Sequence, residues 1–386
     1  MIRKQSKKAE VQKEPEGLKN TVQIRLYPTR AQAQMLRAHC QEYIDCVNTI
    51  VQAHDADMLP KGFSTKDFTA PLPSAVKNQV IRDAQSVYNR SFELGRIPRL
   101  KKPFAQWNNQ NWKLEMSETR SHKKGELQGE LIMPMWNGTK TKQVKIKCCG
   151  QMPVGEKGTL RIKRKDEKWV ADATTTLPDV EPVQDEIVMG VDTGIKVPAV
   201  AYIAGKSARF YGNGRHMRSK RRTFYARRKK LQHFKKKKSV RRTKNKESRW
   251  MKDVNHKISR KIVNYAHSQG VGAIKVESLE GIRKGTTRTS RGASAQKNNR
   301  AQNSWTFYQL TSFIIYKAAR LGIKVEMVDP AHTSQECPAC KHRHSADDRV
   351  YVCKDCGWKG HRDIVGAINI SRRAGLDGKS QGAMGA

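Results

Sequence analysis

The pattern of apolar and polar residues predicts a strand and two helices at the start of the chain. Residues 21–27 alternate as a strand does. Thr29 and Gln32 then have the spacing of a capping box, which opens a helix. The apolar stripe of this helix comprises Leu36, Cys40, Tyr43, Val47 and Ile50. A second helix is predicted from Ser74, its expected N-cap, to a stop at Gly95. Its stripe comprises Val76, Val80, Ala84 and Val87.

The later pattern predicts a sheet, a linker and a second domain. Residues 129–177 are expected to form strands, including a hairpin over 160–172. The strand at 21–27 could join this sheet as a small β-barrel with the two helices inserted. An acidic, proline-containing stretch at 177–185 predicts a linker. Beyond it, buried strands are predicted over residues 187–192, 198–203, 271–277 and 323–328, and helices over 254–266 and 305–318.

Four cysteines form two Cys-x-x-Cys pairs near the end of the chain. The pairs, separated by 12 residues, are Cys337/Cys340 and Cys353/Cys356. Two such turns are typical of a zinc ribbon, in which one Zn²⁺ has four sulfur ligands and a structural role. A single pair would fit a thioredoxin-like redox motif, but the second pair favours zinc. We expect His342, His344 and His361 at the surface rather than among the ligands.

The charge of the chain indicates its class of partner. Lys and Arg outnumber Asp and Glu by 76 to 35, which gives a formal charge of +41. Because such an excess repels itself, a polyanion is expected as partner. The excess is densest in residues 218–247, with 16 Lys or Arg and one acid. A solvated face is the alternative to nucleic-acid contact there. The predicted phosphate-binding cations are Arg227, Arg228, Lys229, Lys230, Lys235, Lys236, Lys237 and Lys238.

Two further basic segments have open interpretations. Residues 96–113 mix Lys and Arg with Phe104, Trp107 and Trp112. These aromatic rings could stack on bases or, equally, pack in a core. Residues 282–303 are basic and rich in Gly, Ser, Thr and Asn, without periodicity. This composition predicts a mobile loop that could act as a lid.

Three carboxylates stand at the ends of predicted elements. Asp192 ends the first strand after the linker, Glu277 ends a later strand, and Asp363 begins the last helix. Strand ends can gather at one edge of a sheet, where a neighbouring helix can add a third group. Oxygen ligands suit Mg²⁺, and two Mg²⁺ about 4 Å apart can stabilise phosphodiester hydrolysis. Taken singly, each acid would be explained as a cap or an ion-pair partner. Glu280 and Asp329 are assigned no role.

Several of these motifs together resemble the TnpB family of transposon-encoded, RNA-guided DNA nucleases. That family is related to the compact type V CRISPR effectors. Residues 190–194, 276–279 and 361–370 resemble its three RuvC motifs. The cysteine pairs before the third motif match its zinc ribbon, and residues 25–32 resemble its N-terminal signature. The resemblance covers about residues 21–371, and the ordered set of motifs is highly specific.

The resemblance implies a multidomain fold that combines α/β and β-barrel parts. The RuvC domain would be RNase H-like, with the zinc ribbon inserted in it. In chain order, the expected parts are a basic disordered N-terminus (1–20), a wedge-type β-barrel (21–30 and 115–185), an inserted helical recognition part (31–114), the RuvC domain (186–330 and 357–373), the zinc ribbon (331–356) and a disordered tail (374–386).

The resemblance also implies an activity and its cofactors. Asp192, Glu277 and Asp363 would be catalytic acids that bind two Mg²⁺, and the four paired cysteines would bind one Zn²⁺. The chain would be an RNA-guided, Mg²⁺-dependent DNA endonuclease associated with a transposon. A single RuvC site would cut double-stranded target DNA beside a short motif. Guide RNA and target DNA are the expected partners, with the chain a monomer or an asymmetric dimer on RNA.

Other functions stay open at this point. They are a nuclease-inactive RNA-guided DNA-binding regulator, a compact type V CRISPR effector, a DNA-strand transposase, and a binding protein that uses only the zinc ribbon. The intact acids argue against the regulator. No run of 18 apolar residues predicts a membrane span. The other cysteines, Cys40, Cys46, Cys148 and Cys149, show no disulfide spacing, which fits a reducing cytosol. With the resemblance, the expected location is the cytoplasm of a prokaryote, in association with the nucleoid.

Overall fold

The chain divides into two units, and each has its own sheet. The computed structural model describes residues 17–120, 127–278, 307–346 and 349–376. Unit 1 is Met1–Asp179 and unit 2 is Val180–Ala386. The boundary falls in the predicted linker. Four predicted features lie outside the described residues: most of the disordered N-terminus (1–16), most of the tail (377–386), the basic loop (282–303) and Glu280.

Unit 1 is built on a seven-stranded antiparallel sheet. Its strands are β1 (Lys19–Tyr27), β2 (Phe104–Trp107), β3 (Lys113–Arg120), β4 (Leu127–Trp136), β5 (Thr141–Gly150), β6 (Glu156–Lys165) and β7 (Lys168–Thr176). They pair in the order β2-β6-β7-β1-β5-β4-β3. The predicted hairpin is β6–β7, and β1 joins the sheet as predicted. In the described pairings β2 and β3 are the edges, so closure into a barrel stays a prediction.

Two helices follow β1 and pack their apolar stripes into the core of unit 1. They are α1 (Arg30–Asp55) and α2 (Ser74–Leu94). The capping box is confirmed, because Gln32 N donates to Thr29 Oγ1 at 3.3 Å and Thr29 N donates to Gln32 Oε1 at 3.0 Å. Gly95 ends α2 with φ +63°, as predicted. The predicted N-cap is wrong: Ser74 is the first helical residue, and Pro73 precedes it without a side-chain cap.

A polar network ties the two helices to the sheet of unit 1. Tyr43 on α1 donates its hydroxyl to Asp83 on α2 at 2.7 Å. Gln106 on β2 donates to the other carboxylate oxygen of Asp83 at 3.2 Å. Burial, followed by the charge of Asp83, raises the pKa of Tyr43 and keeps the hydroxyl a donor. Residues 104–107 pair with β6 and belong to the sheet, although they lie inside segment 31–114, which was predicted to be a helical part.

The aromatic residues of the basic stretch 96–113 pack in the core of unit 1. Trp107 is fully buried and donates its indole N–H to Pro134 O at 3.0 Å. Trp112 is also buried and donates to Gly158 O at 3.0 Å. Both rings have apolar surroundings and a satisfied donor, as buried tryptophans require. Stacking of these two rings on bases, one of the two interpretations of this stretch, is therefore wrong.

Unit 2 is a five-stranded mixed sheet with helices packed against it. Its strands are β8 (Val188–Asp192), β9 (Ala199–Ile203), β10 (Arg209–Tyr211), β11 (Ala273–Glu277) and β12 (Lys324–Val328), in the order β10-β9-β8-β11-β12. The helices are α3 (Gly214–His233), α4 (Lys237–Thr243), α5 (Lys246–Ser268), α6 (Phe307–Ala319) and α7 (Arg362–Arg372). Strands β8, β11 and β12 are parallel, whereas β9 pairs antiparallel with both of its neighbours, β8 and β10. No helix in the described part of the chain is long and apolar enough to span a membrane.

The cysteine-rich stretch of unit 2 contains its own small hairpin. Strand β13 (Val350–Val352) pairs with β14 (Lys359–His361), and the second Cys-x-x-Cys turn lies between them. The hairpin therefore continues past residue 356, the predicted end of the zinc ribbon, into the segment predicted to return to the RuvC domain. Helix α7 follows β14 directly. The cysteine turns and the last helix are thus one continuous piece of structure.

Candidate active site and metal centre

The four paired cysteines form a compact cluster. Their sulfur atoms all lie within 4.8 Å of one another. The Sγ atoms of Cys337 and Cys356 are 3.6 Å apart, and those of Cys340 and Cys353 are 3.4 Å apart. A tetrahedral Zn²⁺ with Zn–S bonds of about 2.3 Å would hold sulfurs about 3.8 Å apart. All four thiols are free of disulfides, so the donor set fits the predicted zinc.

Local turns place the cysteines, and their cluster packs against the last helix. Cys337 N donates to His342 O at 2.8 Å and Gly357 N donates to Cys353 O at 3.1 Å, which closes the two turns. Cys337 and Cys353 share a buried cluster with Tyr351 on β13 and Val365 on α7. The start of α7, which carries one of the predicted acids, is therefore packed on the cysteine turns.

The three histidines near the cluster make other contacts. His344 is half-buried and contacts the carboxylate of Asp355, while the exposed His342 lies 3.7 Å from the same carboxylate. His361 is half-buried, and its Nδ1 accepts from Asp363 N at 3.2 Å as the N-cap of α7. His342 and His344 each lie within 4.8 Å of a cysteine sulfur and Asp355. Their predicted exclusion from the metal stays a prediction.

The structure brings the three predicted acids to one edge of the five-stranded sheet. Asp192 ends β8 and Glu277 ends β11, and these strands are parallel neighbours. Asp363 lies in the first turn of α7. Parallel strands present their carboxyl ends at the same edge, which explains the first two positions. The third depends on how α7 packs.

Two glycines let α7 lie directly against β8. A Cβ atom on Gly190 would lie 2.1 Å from Ala367 O, and one on Gly366 would lie 2.9 Å from Asp192 Oδ2. Any larger residue at Gly190 would collide with the helix backbone. Gly190, the first glycine of the Gly-Val-Asp-Thr-Gly motif, therefore allows the close approach of α7 that brings Asp363 to the end of β8.

Burial raises the pKa values of two of the acids, and for Asp192 the charges of the other two acids add to the shift. The pKa of Asp192 lies well above its ordinary value because of burial first, and then the charges of Glu277 and Asp363. Burial also raises the pKa of Glu277, although a hydrogen bond from Thr333 Oγ1 at 2.5 Å opposes the shift. A bound divalent cation would relieve this repulsion, so the donors fit Mg²⁺. Among the described residues, no choice of one oxygen from each of the three acids places all three atoms within 4.8 Å of one another.

Arg349 and Thr333 contact the predicted acids and were not expected from the sequence. Arg349, at the start of the zinc-ribbon hairpin, donates Nη1 to Asp363 Oδ1 at 2.6 Å. Thr333, in the turn after β12, donates to Glu277. Neither residue lies in a motif whose spacing signals an acid partner. Asp329, which was assigned no role, raises the pKa of Glu277 as a minor cause and accepts from Ala331 N.

The predicted basic run folds into α3, a tight turn, α4 and the start of α5. Glu247, its one acid, accepts from Arg221 at 2.9 Å and from Arg228 at 3.1 Å. At the turn, Lys236 N donates to Leu231 O at 3.0 Å and Lys235 has φ +50°, a conformation that favours glycine. Seven of the eight predicted phosphate-binding cations are exposed, and Arg228 is half-buried. Their binding role stays a prediction.

Two family profiles match parts of this chain. The profile described as "Probable transposase" matches residues 159–283, which contain Asp192 and Glu277. The profile described as "Cas12f1-like, TNB domain" matches residues 307–370, which contain Asp363 and the four paired cysteines. Every residue of the two candidate sites thus lies within a matched segment.

The curated relatives of this chain include Cas12f1 and TnpB-like proteins. A CRISPR-associated endodeoxyribonuclease Cas12f1 from Syntrophomonas palmitatica is 32% identical over 54% of this chain and 43% of its own length. A Cas12f1 from Sulfoacidibacillus thermotolerans is 26% identical over 58% of this chain and 54% of its own. The TnpB-like protein MJ0751 of Methanocaldococcus jannaschii is 33% identical over 33% of this chain and 44% of its own. The chain therefore spans about half the length of these relatives.

A solved structure shares the fold. A Cas12f1 protein, determined by cryo-electron microscopy in a complex with single-guide RNA and target DNA, superposes with a TM-score of 0.60. The match covers 88% of this chain and 81% of that one, at 15% sequence identity. At this identity the likeness concerns the fold alone.

Proposed function

From the confirmed resemblance to TnpB and Cas12f1 proteins, we propose that the chain is an RNA-guided, divalent-metal-dependent DNA endonuclease. The observation that carries this proposal is the convergence of Asp192, Glu277 and Asp363 at one edge of the sheet of unit 2. Burial and the charges of Glu277 and Asp363 raise the pKa of Asp192, so its ionised form is costly in the fold, and a cation bound by the acids would explain why it is kept. The proposal covers cleavage next to a short motif in target DNA.

The acids would hold Mg²⁺, which suits oxygen donors. When bound, Mg²⁺ supplies Lewis-acid stabilisation of the charge that develops at a phosphodiester. The chain positions the donors: Thr333 orients one oxygen of Glu277, and α7 carries Asp363 against β8. In the proposed reaction the carboxylates bind metal and do not attack the phosphorus. A water molecule is the attacking group, and the product carries a 5′-phosphate.

Guide RNA and target DNA are the proposed partners. Cas12f1, which shares the fold, was determined with both. In RNA-guided recognition, base pairing reads the sequence while the protein holds the heteroduplex through its backbone. A formal charge of +41 suits a protein that binds many phosphates without reading bases. The association of this chain with a transposon, rather than a CRISPR locus, is part of the proposal.

The test begins with the RNA that copurifies with the protein. That RNA is sequenced, and a DNA library that matches its guide segment next to randomised bases is incubated with the complex and Mg²⁺. We expect cuts only in DNA that matches the guide, beside one enriched motif. Asp192→Asn should abolish cutting and keep guided binding. Asp329→Asn, which removes an acid just past the end of β12, is the matched control and should still cut.

The alternatives give different outcomes in the same assay. Guided binding without cutting by the unaltered protein would indicate a regulator. Strand-joining products from transposon-end DNA would indicate a transposase. Binding that is independent of both RNA and the acids would indicate a protein that uses only the zinc ribbon. Full cutting by any one of the Asp192→Asn, Glu277→Gln and Asp363→Asn variants would contradict the proposed site.

A further inference from the structure

A buried amide on α7 holds the turn that follows β12, residues 330–336. Asn369 is only 3% exposed, and its Nδ2 donates to Thr333 O at 2.8 Å and to Glu336 O at 2.7 Å. A primary amide nitrogen carries two N–H donors, so both are used. Asn369 therefore fixes the backbone of this turn at two points that lie three residues apart.

Apart from these two bonds, the position of Asn369 suits an apolar side chain. Residues 365–370 of α7 are all buried, and Asn369 is the only polar one among them. A buried amide is costly unless it is hydrogen-bonded, and Asn369 Oδ1 has no partner among the described residues. The two bonds that Nδ2 donates are thus what this side chain contributes to the fold.

The same turn carries the hydroxyl that contacts a proposed metal ligand. Thr333 is buried, and its Oγ1 donates to Glu277 Oε1 at 2.5 Å. Hydrogen bonds of this kind orient a ligating carboxylate, because one oxygen is held and the other is presented in a fixed direction. Since Thr333 O accepts from Asn369, the direction of the Glu277 carboxylate depends on a bond made by α7.

We propose that Asn369 is a positioning residue for the divalent cation: it fixes Thr333, and Thr333 fixes Glu277. Helix α7 carries Asp363 in its first turn, so one helix would set two of the three acids, one directly and one through the turn. The inference rests on the proposed function, because it takes these acids as ligands of Mg²⁺. Asn369 itself would touch neither the cation nor the nucleic acid.

Four substitutions separate this role from a contribution to folding alone. Asn369→Ala removes both donors, and Asn369→Gln keeps them on a longer side chain. Thr333→Val replaces the hydroxyl by a methyl group of similar size. Arg372→Gln is the matched control: it removes another bond of α7 to the same segment, from Arg372 Nη1 to Pro338 O at 2.6 Å, which lies outside the turn.

Binding of Mn²⁺, which suits the same oxygen ligands, tests the role without any cleavage. Full-length protein freed of nucleic acid at high salt is titrated with Mn²⁺, and the EPR signal of the free ion gives the dissociation constant. The site that disappears in Asp192→Asn is the acidic one. Asn369→Ala and Thr333→Val should each weaken this site about tenfold or more, Asn369→Gln less so, and Arg372→Gln by no more than about twofold.

The Mg²⁺ dependence of guided cleavage gives a second readout. A positioning role should raise the Mg²⁺ concentration that gives the half-maximal rate in Asn369→Ala. A purely structural role would lower the maximal rate, because less protein is folded, and leave the half-saturating concentration unchanged. Zinc content and the thermal midpoint measure the folded fraction in every variant. If Asn369→Ala does not fold, Asn369→Ser, which keeps one donor, takes its place under the same criterion.

A double variant tests whether Asn369 acts through Thr333. Asn369→Ala combined with Thr333→Val should bind Mn²⁺ no more weakly than the weaker of the two single variants. Effects that multiply would show two independent contributions and overturn the proposal, as would an unchanged Mn²⁺ affinity in Asn369→Ala. Cleavage by the parent protein would then keep the proposed function, whereas a parent protein that cuts no guided DNA would overturn both.

Discussion

The two candidate metal sites of unit 2 differ in how the chain builds them. The cysteine cluster takes all its donors from residues 337–356, and their sulfurs already lie within 4.8 Å of one another. The carboxylate site takes its donors from Asp192, Glu277 and Asp363, and the oxygens do not form such a group among the described residues. Two short turns are enough to gather thiols. Gathering three acids requires two parallel strands and a packed helix.

The dependence between the two sites runs mainly in one direction. The start of α7, with Asp363, packs on the cysteine turns through Val365, and Arg349 of the same hairpin holds the Asp363 carboxylate. The backbone turns that place the cysteines are closed by their own hydrogen bonds, none of which involves the three acids. Asn369 and Arg372 on α7 also donate to the first turn, at Glu336 O and Pro338 O. Loss of the cysteine site should therefore damage the acidic site, whereas loss of the acids should leave the cysteine site intact.

Removal of a zinc ligand should have the largest effect. Cys353→Ala should reduce zinc from about one per chain to near zero, because it removes one of the four sulfur donors. The turns should also lose stability, since structural zinc contributes about 10 kcal/mol to the folding of such turns. Cleavage should also be lost, because Asp363 depends on the ribbon. Zinc content by mass spectrometry and cleavage of guided DNA measure both effects. Cys46→Ser in unit 1 is the control and should change neither. A zinc-free variant that cuts normally would show that the sites are independent.

Gly190→Ala should disrupt the acidic site by displacing α7 from β8, without a change in the cysteine turns. The added methyl would lie 2.1 Å from Ala367 O, so α7 must move away from β8. Overpacking of this kind costs up to about 3 kcal/mol, and cleavage should fall strongly because Asp363 moves with α7. Zinc content should remain at about one per chain, which serves as the internal control. Loss of zinc in this variant would contradict the one-directional dependence.

Arg349→Gln should weaken the link between the two sites. Asp363 would lose its guanidinium partner while staying mostly buried, at a cost of about 1–3 kcal/mol in the free energy of unfolding. Thermal unfolding of the metal-loaded protein measures the change. Arg349→Lys should rescue part of it, because lysine keeps the charge but not the forked donor geometry. If both variants match the parent protein, the contact has no role in holding Asp363.

Asp192→Asn should stabilise the protein slightly in the absence of added Mg²⁺. The raised pKa means that the folded protein binds this proton more tightly than the unfolded chain. The charged carboxylate therefore costs stability as pH rises through the interval from the ordinary value to the raised one. At neutral pH the variant should melt about 2–4 °C higher, as expected for about 1 kcal/mol in a unit of this size.

The gain from Asp192→Asn should also depend on pH with a defined sign. It should shrink as pH falls through the same interval, because the parent carboxyl becomes protonated and the repulsion disappears. Asp329→Asn is the control, and we expect its effect to be smaller. A gain that is constant with pH would mean that charge repulsion is not its cause. These measurements use protein without chelator, since a chelator would also remove zinc.

Local patterns in the sequence were sufficient to predict most helices and strands and the clustering of the four paired cysteines. The capping box at Thr29, the stop at Gly95 and the β6–β7 hairpin follow from residues a few positions apart. The prediction failed where tertiary packing decided. Trp107 and Trp112 lie among Lys and Arg residues in the sequence, as base-stacking aromatic residues do, but both are buried in the core of unit 1. The N-cap at Ser74 failed because Pro73 already begins the turn.

The sequence by itself determined the cysteine cluster, because all four donors lie within one short stretch whose turns are local. It also predicted the three acids as site residues, through strand-end positions and motif order. Only the tertiary structure decided how they meet: Gly190 and Gly366 let α7 lie on β8, and Arg349 and Thr333 contact Asp363 and Glu277. Such contacts join residues far apart in the chain, so spacing carries no signal for them.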